Sequence, residues 1–153
     1  MTTIAYCNGE MAGDTLAMDT HGLKAYCMKI SAITIASETW LFGSAGERSI
    51  GVNLAESIDG LPTFAEFISQ RITCDPDDKN SAIVARGDVL FYKVGTTWQQ
   101  HHNKFHALGS GRDFALAAMY LGKSALEAVE VACEFDGYSG GEIVVLRSNE
   151  CGH

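Results

Sequence analysis

Two hydrophobic periods divide the chain: strand-like stretches run through the first 46 residues and again over 81–108, with helical spacing between and after them. Residues 2–8 are β-prone and halt at Asn8-Gly9, a dipeptide suited to a two-residue hairpin, so 2–7 and 10–18 are predicted as paired strands. Residues 24–36 are β-rich again, and 39–42 runs as a strand into the small-residue stretch Gly43-Ser44-Ala45-Gly46. Over 47–58 the apolar residues Ile50, Leu54 and Ile58 recur every four positions and predict a helix. After a break at 60–62, Phe64, Phe67 and Ile68 continue the helical period in a second one.

The polar segment 73–81, with Pro76, is predicted as a surface loop. Ser81–Arg86, the turn Gly87-Asp88 and Val89–Val94 read as a second hairpin, and 98–108 as a further strand. Beyond Gly109-Ser110-Gly111 the set Phe114, Ala117, Ala118 and Leu121 marks a helix that Gly122 stops. Ser124 caps the next helix, forms a capping box with Glu127, and precedes a buried face of Leu126, Val129, Ala132 and Cys133. Residues 136–141 form a turn and 143–146 a closing strand. Strand groups enclosing sequential helix pairs predict an α+β layered sandwich in one domain spanning 1–153, without repeats or low-complexity tracts.

Composition narrows the function classes. With 11 Lys and Arg against 19 Asp and Glu the net charge is −8, and the basic residues are scattered singly, which argues against a nucleic-acid partner and a polybasic membrane anchor. No window approaches the ~18 apolar residues of a membrane helix, and the start lacks a signal-peptide pattern, so the expected location is the cytoplasm. The five cysteines, Cys7, Cys27, Cys74, Cys133 and Cys151, include no C-x-x-C pair and read as reduced core filler. His101, His102 and His106, with Cys151 and His153, are metal-type ligands without a metal-site spacing; on one continuous strand His102 and His106 would share a face and His101 would oppose them. No cofactor or metal is expected.

Thr2 introduces chemistry. Methionine aminopeptidases remove Met1 when a small residue follows, and a threonine thereby exposed holds a nucleophile and a base in one residue. Its α-amine, of ordinary pKa ~7.7–8.0, can take the hydroxyl's proton.

Six segments point further. Thr2-Thr3-Ile4-Ala5, Ala12-Gly13-Asp14-Thr15, Met28-Lys29-Ile30, Ser44-Ala45-Gly46, Leu108-Gly109-Ser110-Gly111 and Asp136-Gly137-Tyr138-Ser139-Gly140-Gly141 follow one another in this order. In that order and spacing the chain resembles proteasome β subunits and the HslV peptidases, members of the N-terminal nucleophile (Ntn) hydrolases. Its layout is similar to small proteasome-like proteins of phages and prophages. The resemblance implies a four-layer αββα sandwich and a threonine peptidase with Thr2 as nucleophile and its amine as base. It implies that Lys29 is the activating cation, Asp14 its holder and the Gly46 N–H the oxyanion donor. Ser110, Asp136 and Ser139 would support the amine, and Ala45 would floor a wide apolar specificity pocket.

Lys24 and Asp19 are rivals for the Lys29 and Asp14 roles, but Ile30 after Lys29 and Ala12-Gly13 before Asp14 match the family pattern and favour the latter pair. Glu47 departs from the family, in which a second small residue is common after the oxyanion glycine. The resemblance further implies a homo-oligomeric ring fed by an ATP-driven AAA+ unfoldase, with unfolded protein or peptide as substrate. Ile50, Phe64, Phe67 and Met119 are expected at subunit contacts. A catalytically silent ring subunit and a small-molecule amidase of the same superfamily are the alternatives.

Overall fold

The computed structural model describes residues 2–73 and 79–148. Most of the loop expected at 73–81 lies outside them, as do Met1, Cys74, Cys151 and His153. The strands are β1 (Ile4–Cys7), β2 (Glu10–Gly13), β3 (Leu16–Met18), β4 (Lys24–Tyr26), β5 (Ile30–Ile35), β6 (Glu38–Ala45), β7 (Ser81–Arg86), β8 (Val89–Val94), β9 (Thr97–His101), β10 (Phe105–Leu108) and β11 (Val144–Arg147). The helices are α1 (Arg48–Ile58), α2 (Phe64–Ser69), α3 (Arg112–Tyr120) and α4 (Ala125–Phe135). One antiparallel sheet has the order β10-β1-β2-β11 and another β5-β6-β7-β8-β9; β3 and β4 form a separate ribbon.

Because strand side chains alternate, neighbours in one strand enter different layers. Ile4 and Tyr6 join Met11, Leu41, Ile83 and Leu90 between the two sheets. Ala5 and Ala12 face the other way, against Ala115, Ala118, Ala125 and Ala128 of α3 and α4. On the far side Trp40, Phe42, Val84 and Phe91 meet Leu54 and Ile58 of α1 and Phe67 of α2. Three apolar interfaces therefore separate four layers, helices outside and sheets inside, and the αββα sandwich is the observed architecture. Alanine dominates the interface with α3 and α4, where burial costs almost no side-chain entropy.

Several elements depart from the pattern. The strand expected over 10–18 is two, because the chain leaves the sheet after Gly13 and Leu16 pairs with Tyr26 in the ribbon. Residues 24–36 divide likewise into β4 and β5, and β6 continues through Ala45. The strand expected over 98–108 also splits: β9 edges one sheet and β10 pairs with β1 in the other. The buried face of α3 is Ala115, Ala118 and Met119, one residue along from the expected set, leaving Phe114 and Leu121 exposed. The capping box at Ser124 and Glu127 is present, but α4 buries Ala125 and Ala128 rather than Leu126 and Cys133. Phe67 and Met119 pack inside the chain, which removes them from the expected subunit contacts. Phe64 is 37% exposed but stacks on Trp40.

Candidate active site

The site begins where β1 and β2 part. Thr3 precedes the first strand, and Asp14 clamps it twice: the Asp14 N–H donates to the Thr3 carbonyl (3.1 Å) and the Thr3 N–H donates to Asp14 Oδ1 (2.9 Å). The Asp14 side chain has no solvent exposure. Lys29 Nζ donates to Asp14 Oδ1 (2.9 Å) and to the Leu16 carbonyl (2.6 Å), and the Gly140 N–H donates to Asp14 Oδ2 (3.0 Å). A buried charge is tolerated where it is paired and hydrogen-bonded, and here Thr3, Lys29 and Gly140 supply partners to the carboxylate from three segments. The expected Asp14–Lys29 pair is formed; Lys24 is exposed on β4, and Asp19 accepts the His21 and Leu23 N–H groups in its own turn.

A second network runs through hydroxyls. Ser110 Oγ and Ser139 Oγ each donate to Asp136 Oδ2 at 2.6 Å. A hydroxyl has one proton, so both serines are left as acceptors on their other side. Ser110 Oγ accepts the Thr2 N–H (3.1 Å), and Thr3 Oγ1 consequently donates to Ser139 Oγ (2.6 Å). Burial pushes the Asp136 carboxyl up, but the bonds from Ser110, Ser139 and the Tyr138 N–H outweigh it and hold the group below the usual carboxylate range. Ser110 thus reaches the Thr2 nitrogen and Ser139 the Thr3 hydroxyl, and Asp136 joins the two serines.

Two glycines admit this approach. A Cβ at Gly109, whose φ is +95°, would strike the Thr2 carbonyl, and one at Gly111 would strike Thr3 Oγ1.

Thr2, Lys29 and Gly46 border one cavity of about 460 Å³ between α1, β5, β6 and the β3–β4 ribbon. Its apolar wall includes Met18, Met28 and Val52, and Arg48 and Glu56 also line it. The Arg48 guanidinium crosses to the Met28 carbonyl (2.8 Å), tying the start of α1 to the segment that carries Lys29. Ala45 does not floor this cavity. Strand alternation turns its side chain into the layer between the sheets, and Ser44 and Gly46 line the cavity instead. Gly46 has φ +118°, a region that side-chain-bearing residues rarely adopt.

Two thiols are held away from the thiolate form. Burial, with the Asp14 charge next, pushes the Cys133 thiol up to about 11, and burial with Glu10 raises Cys7. Cys7, Cys27 and Cys133 are free and half-buried, and Cys7 and Cys133 pack against the core beneath α3 and α4.

The histidines are arranged differently from expectation. Because the chain changes sheets between β9 and β10, His101 and His106 come together with ring centroids 4.5 Å apart, and Tyr92 packs against both. His102 is exposed. Among the described residues no three His, Cys, Asp or Glu side chains are grouped to hold a metal, and no helix is long and apolar enough to cross a membrane.

Thr3, Ser44 and Arg48 went unmarked in the sequence. Thr3 lies in the first of the six segments and Ser44 in the fourth, and strand alternation from Gly46 back to Ser44 is the sequence signal for the cavity wall.

No protein-family model and no curated protein sequence matches the chain. Solved structures do match it. Thiobacillus denitrificans BPH, in complex with epoxomicin, aligns with TM-score 0.65 and 22% identity over 96% of this chain and 98% of that one. HslV from Trypanosoma brucei aligns with TM-score 0.63 and 18% identity over 95% and 98%. A Gly-1 mutant of Anbu from Hyphomicrobium sp. strain MC1 aligns with TM-score 0.69 and 12% identity over 96% and 81%. The likeness extends over nearly the whole chain and shows the proteasome-type Ntn-hydrolase fold.

Proposed function

We propose that the chain is a threonine peptidase whose nucleophile is Thr2, exposed by removal of Met1. The observation that carries this reading is the convergence on Thr2: its nitrogen bonds to the Ser110–Asp136 network, and it shares one cavity with Lys29 and Gly46. In the reaction, Thr2 Oγ attacks the substrate carbonyl carbon while its proton passes to the free α-amine. The Gly46 N–H stabilises the oxyanion, and the Lys29 ammonium, held by Asp14, favours the ionised hydroxyl and the neutral amine. Collapse breaks the C–N bond, the α-amine returns the proton to the leaving amine, and water hydrolyses the resulting ester.

Subunits assemble in a homo-oligomeric ring in the cytoplasm, fed with unfolded chains by an ATP-driven unfoldase. The exposed Tyr120, Leu121 and Phe135 support association and replace Phe67 and Met119 as contact candidates. One preparation tests the reading by intact mass, light scattering and hydrolysis of a fluorogenic peptide. The expected result is an assembly of chains beginning at Thr2, inhibited by epoxomicin and silenced by Thr2→Ala with its melting temperature retained. Active protein that still carries Met1 overturns the mechanism, and a strict monomer at micromolar concentration overturns the ring.

A further inference from the structure

The turn that presents Gly46 to the cavity is held from behind by one side chain. Asn80 directly precedes β7, whose first residue, Ser81, pairs with Ala45 at the end of β6. That register sets Asn80 beside Gly46. A Cβ on Gly46 would collide with Asn80 Oδ1 and reach the Asn80 Cα at 3.0 Å, so the amide side chain lies against the glycine's α-carbon. Asn80 Oδ1 accepts the Glu47 N–H at 2.6 Å. The Asn80 carbonyl accepts from Lys93 Nζ at 3.3 Å, which ties the residue itself to β8.

We propose that Asn80 is a positioning residue for the oxyanion donor: by binding the Glu47 N–H it fixes the Gly46–Glu47 peptide plane and, through it, the direction of the Gly46 N–H. Gly46 needs such an external hold. Glycine has the widest backbone freedom of any residue, and here it sits at a positive φ with no side chain of its own to lock the turn. The helix that follows holds Glu47 on its far side, through the Gly51 N–H on the Glu47 carbonyl (3.2 Å) and the Ser49 hydroxyl on Glu47 Oε1 (3.0 Å), but Glu47, its N-cap, makes no side-chain capping bond, so the Glu47 N–H is held by Asn80. Glu47, the residue that departs from the family's small residue, contributes its backbone N–H to this anchor rather than to the cavity. An oxyanion donor acts only when it is already aimed at the developing charge, so a loosened turn costs turnover rather than substrate binding.

The inference rests on the proposed peptidase reaction, and its test separates the two. In Asn80→Ala, kcat falls about tenfold or more while KM stays within about twofold. Hydrogen–deuterium exchange over residues 44–50, resolved to single amides, shows the Glu47 amide exchanging at least about tenfold faster than in the unmodified chain. Asn80→Asp, which keeps an acceptor oxygen at the same reach, restores the slow exchange. Asn80→Ser, whose hydroxyl is too short, reproduces the alanine pattern and serves as the second variant should Asn80→Ala not fold. Unchanged kcat, an effect confined to KM, or unchanged Glu47 exchange overturns the role of Asn80. Absence of Thr2-dependent hydrolysis in the unmodified chain overturns the peptidase reading, while the exchange measurement still decides whether Asn80 holds the turn.

Discussion

At the residue scale, position 29 combines a structural and a chemical duty, and the two separate experimentally. Removing the Lys29 ammonium leaves Asp14 buried without its cation, a loss of about 3–5 kcal/mol for a fully buried pair. In the proposed reaction it also removes the charge that favours the ionised Thr2 hydroxyl, so Lys29→Ala is expected to lower kcat by about a hundredfold or more even at temperatures where the chain stays folded. Lys29→Arg recovers stability better than turnover, because a planar guanidinium cannot reproduce a compact ammonium bonded to both Asp14 and the Leu16 carbonyl. Lys24→Ala, on the exposed ribbon, serves as the control with turnover unchanged. Normal kcat in folded Lys29→Ala would remove the residue from the reaction. The Asp14–Lys29 pairing was legible through the family resemblance that the residues around both positions carry. The double clamp on Thr3 was not, since nothing in a linear pattern says that Asp14 ends β2 by bonding to the start of β1.

At the element scale, the helices packed on the sheet of β1 and β2 show how little room the fold leaves. Ala128 of α4 has no solvent exposure and lies in the same cluster as Ala5 and Ala12 of the strands that flank Thr2 and Asp14. Leucine there adds volume to an interface built from alanines, so Ala128→Leu destabilises by about 1–3 kcal/mol. The displacement of α4 from the sheet also lowers turnover, because Asp136 is the C-cap of that helix. Urea denaturation and peptide hydrolysis, measured together, check this: an active variant of full stability would show that the layer has slack. Periodicity found all four helices and the buried Leu54, Ile58, Phe67, Ala118, Val129 and Ala132, but set the rest of the buried faces of α3 and α4 one residue off. Large apolar residues dominate a periodicity count, whereas the real contact on α3 and α4 is made by alanines that the count weighs lightly.

At the scale of the whole molecule, the crossover from β9 to β10 gives stability a pH dependence. His106 is pushed down to about 4 by burial, with His101 next, and burial also lowers His101 with help from His102. Tyr92 on β8 packs against both rings, and Tyr6 lies opposite His106 on β1. A folded-state value below the unfolded value of about 6.5 means that the unfolded chain takes up the proton first. The contribution is therefore full above about pH 6.5, declines as the pH falls, and is exhausted near pH 4. Partial exposure limits it to roughly 1–2 kcal/mol. His106→Phe keeps the ring packing and flattens this part of the profile, so the stability difference between the two chains, followed by urea midpoints from pH 7.5 to 4, should shift by that amount. Parallel profiles would refute the assignment.

The sequence by itself determined the alternation of strands and helices, the hairpin at Asn8-Gly9, the capping box of α4, and the motif order from which the αββα fold and the candidate residues were named. These are local: backbone propensity, turn chemistry and short spacing act over a few neighbours. Only the tertiary structure decided which sheet each strand joins, that one stretch over 97–108 serves two sheets, and that His101 rather than His102 meets His106. It also decided that Ala45 faces the core while Ser44 lines the cavity, and that Asn80 lies behind Gly46. Each of these outcomes depends on strand register or on a contact between segments more than 30 residues apart, such as the 33 between Glu47 and Asn80. A one-residue change of register reverses which face a side chain meets, and local pattern carries no information about that choice.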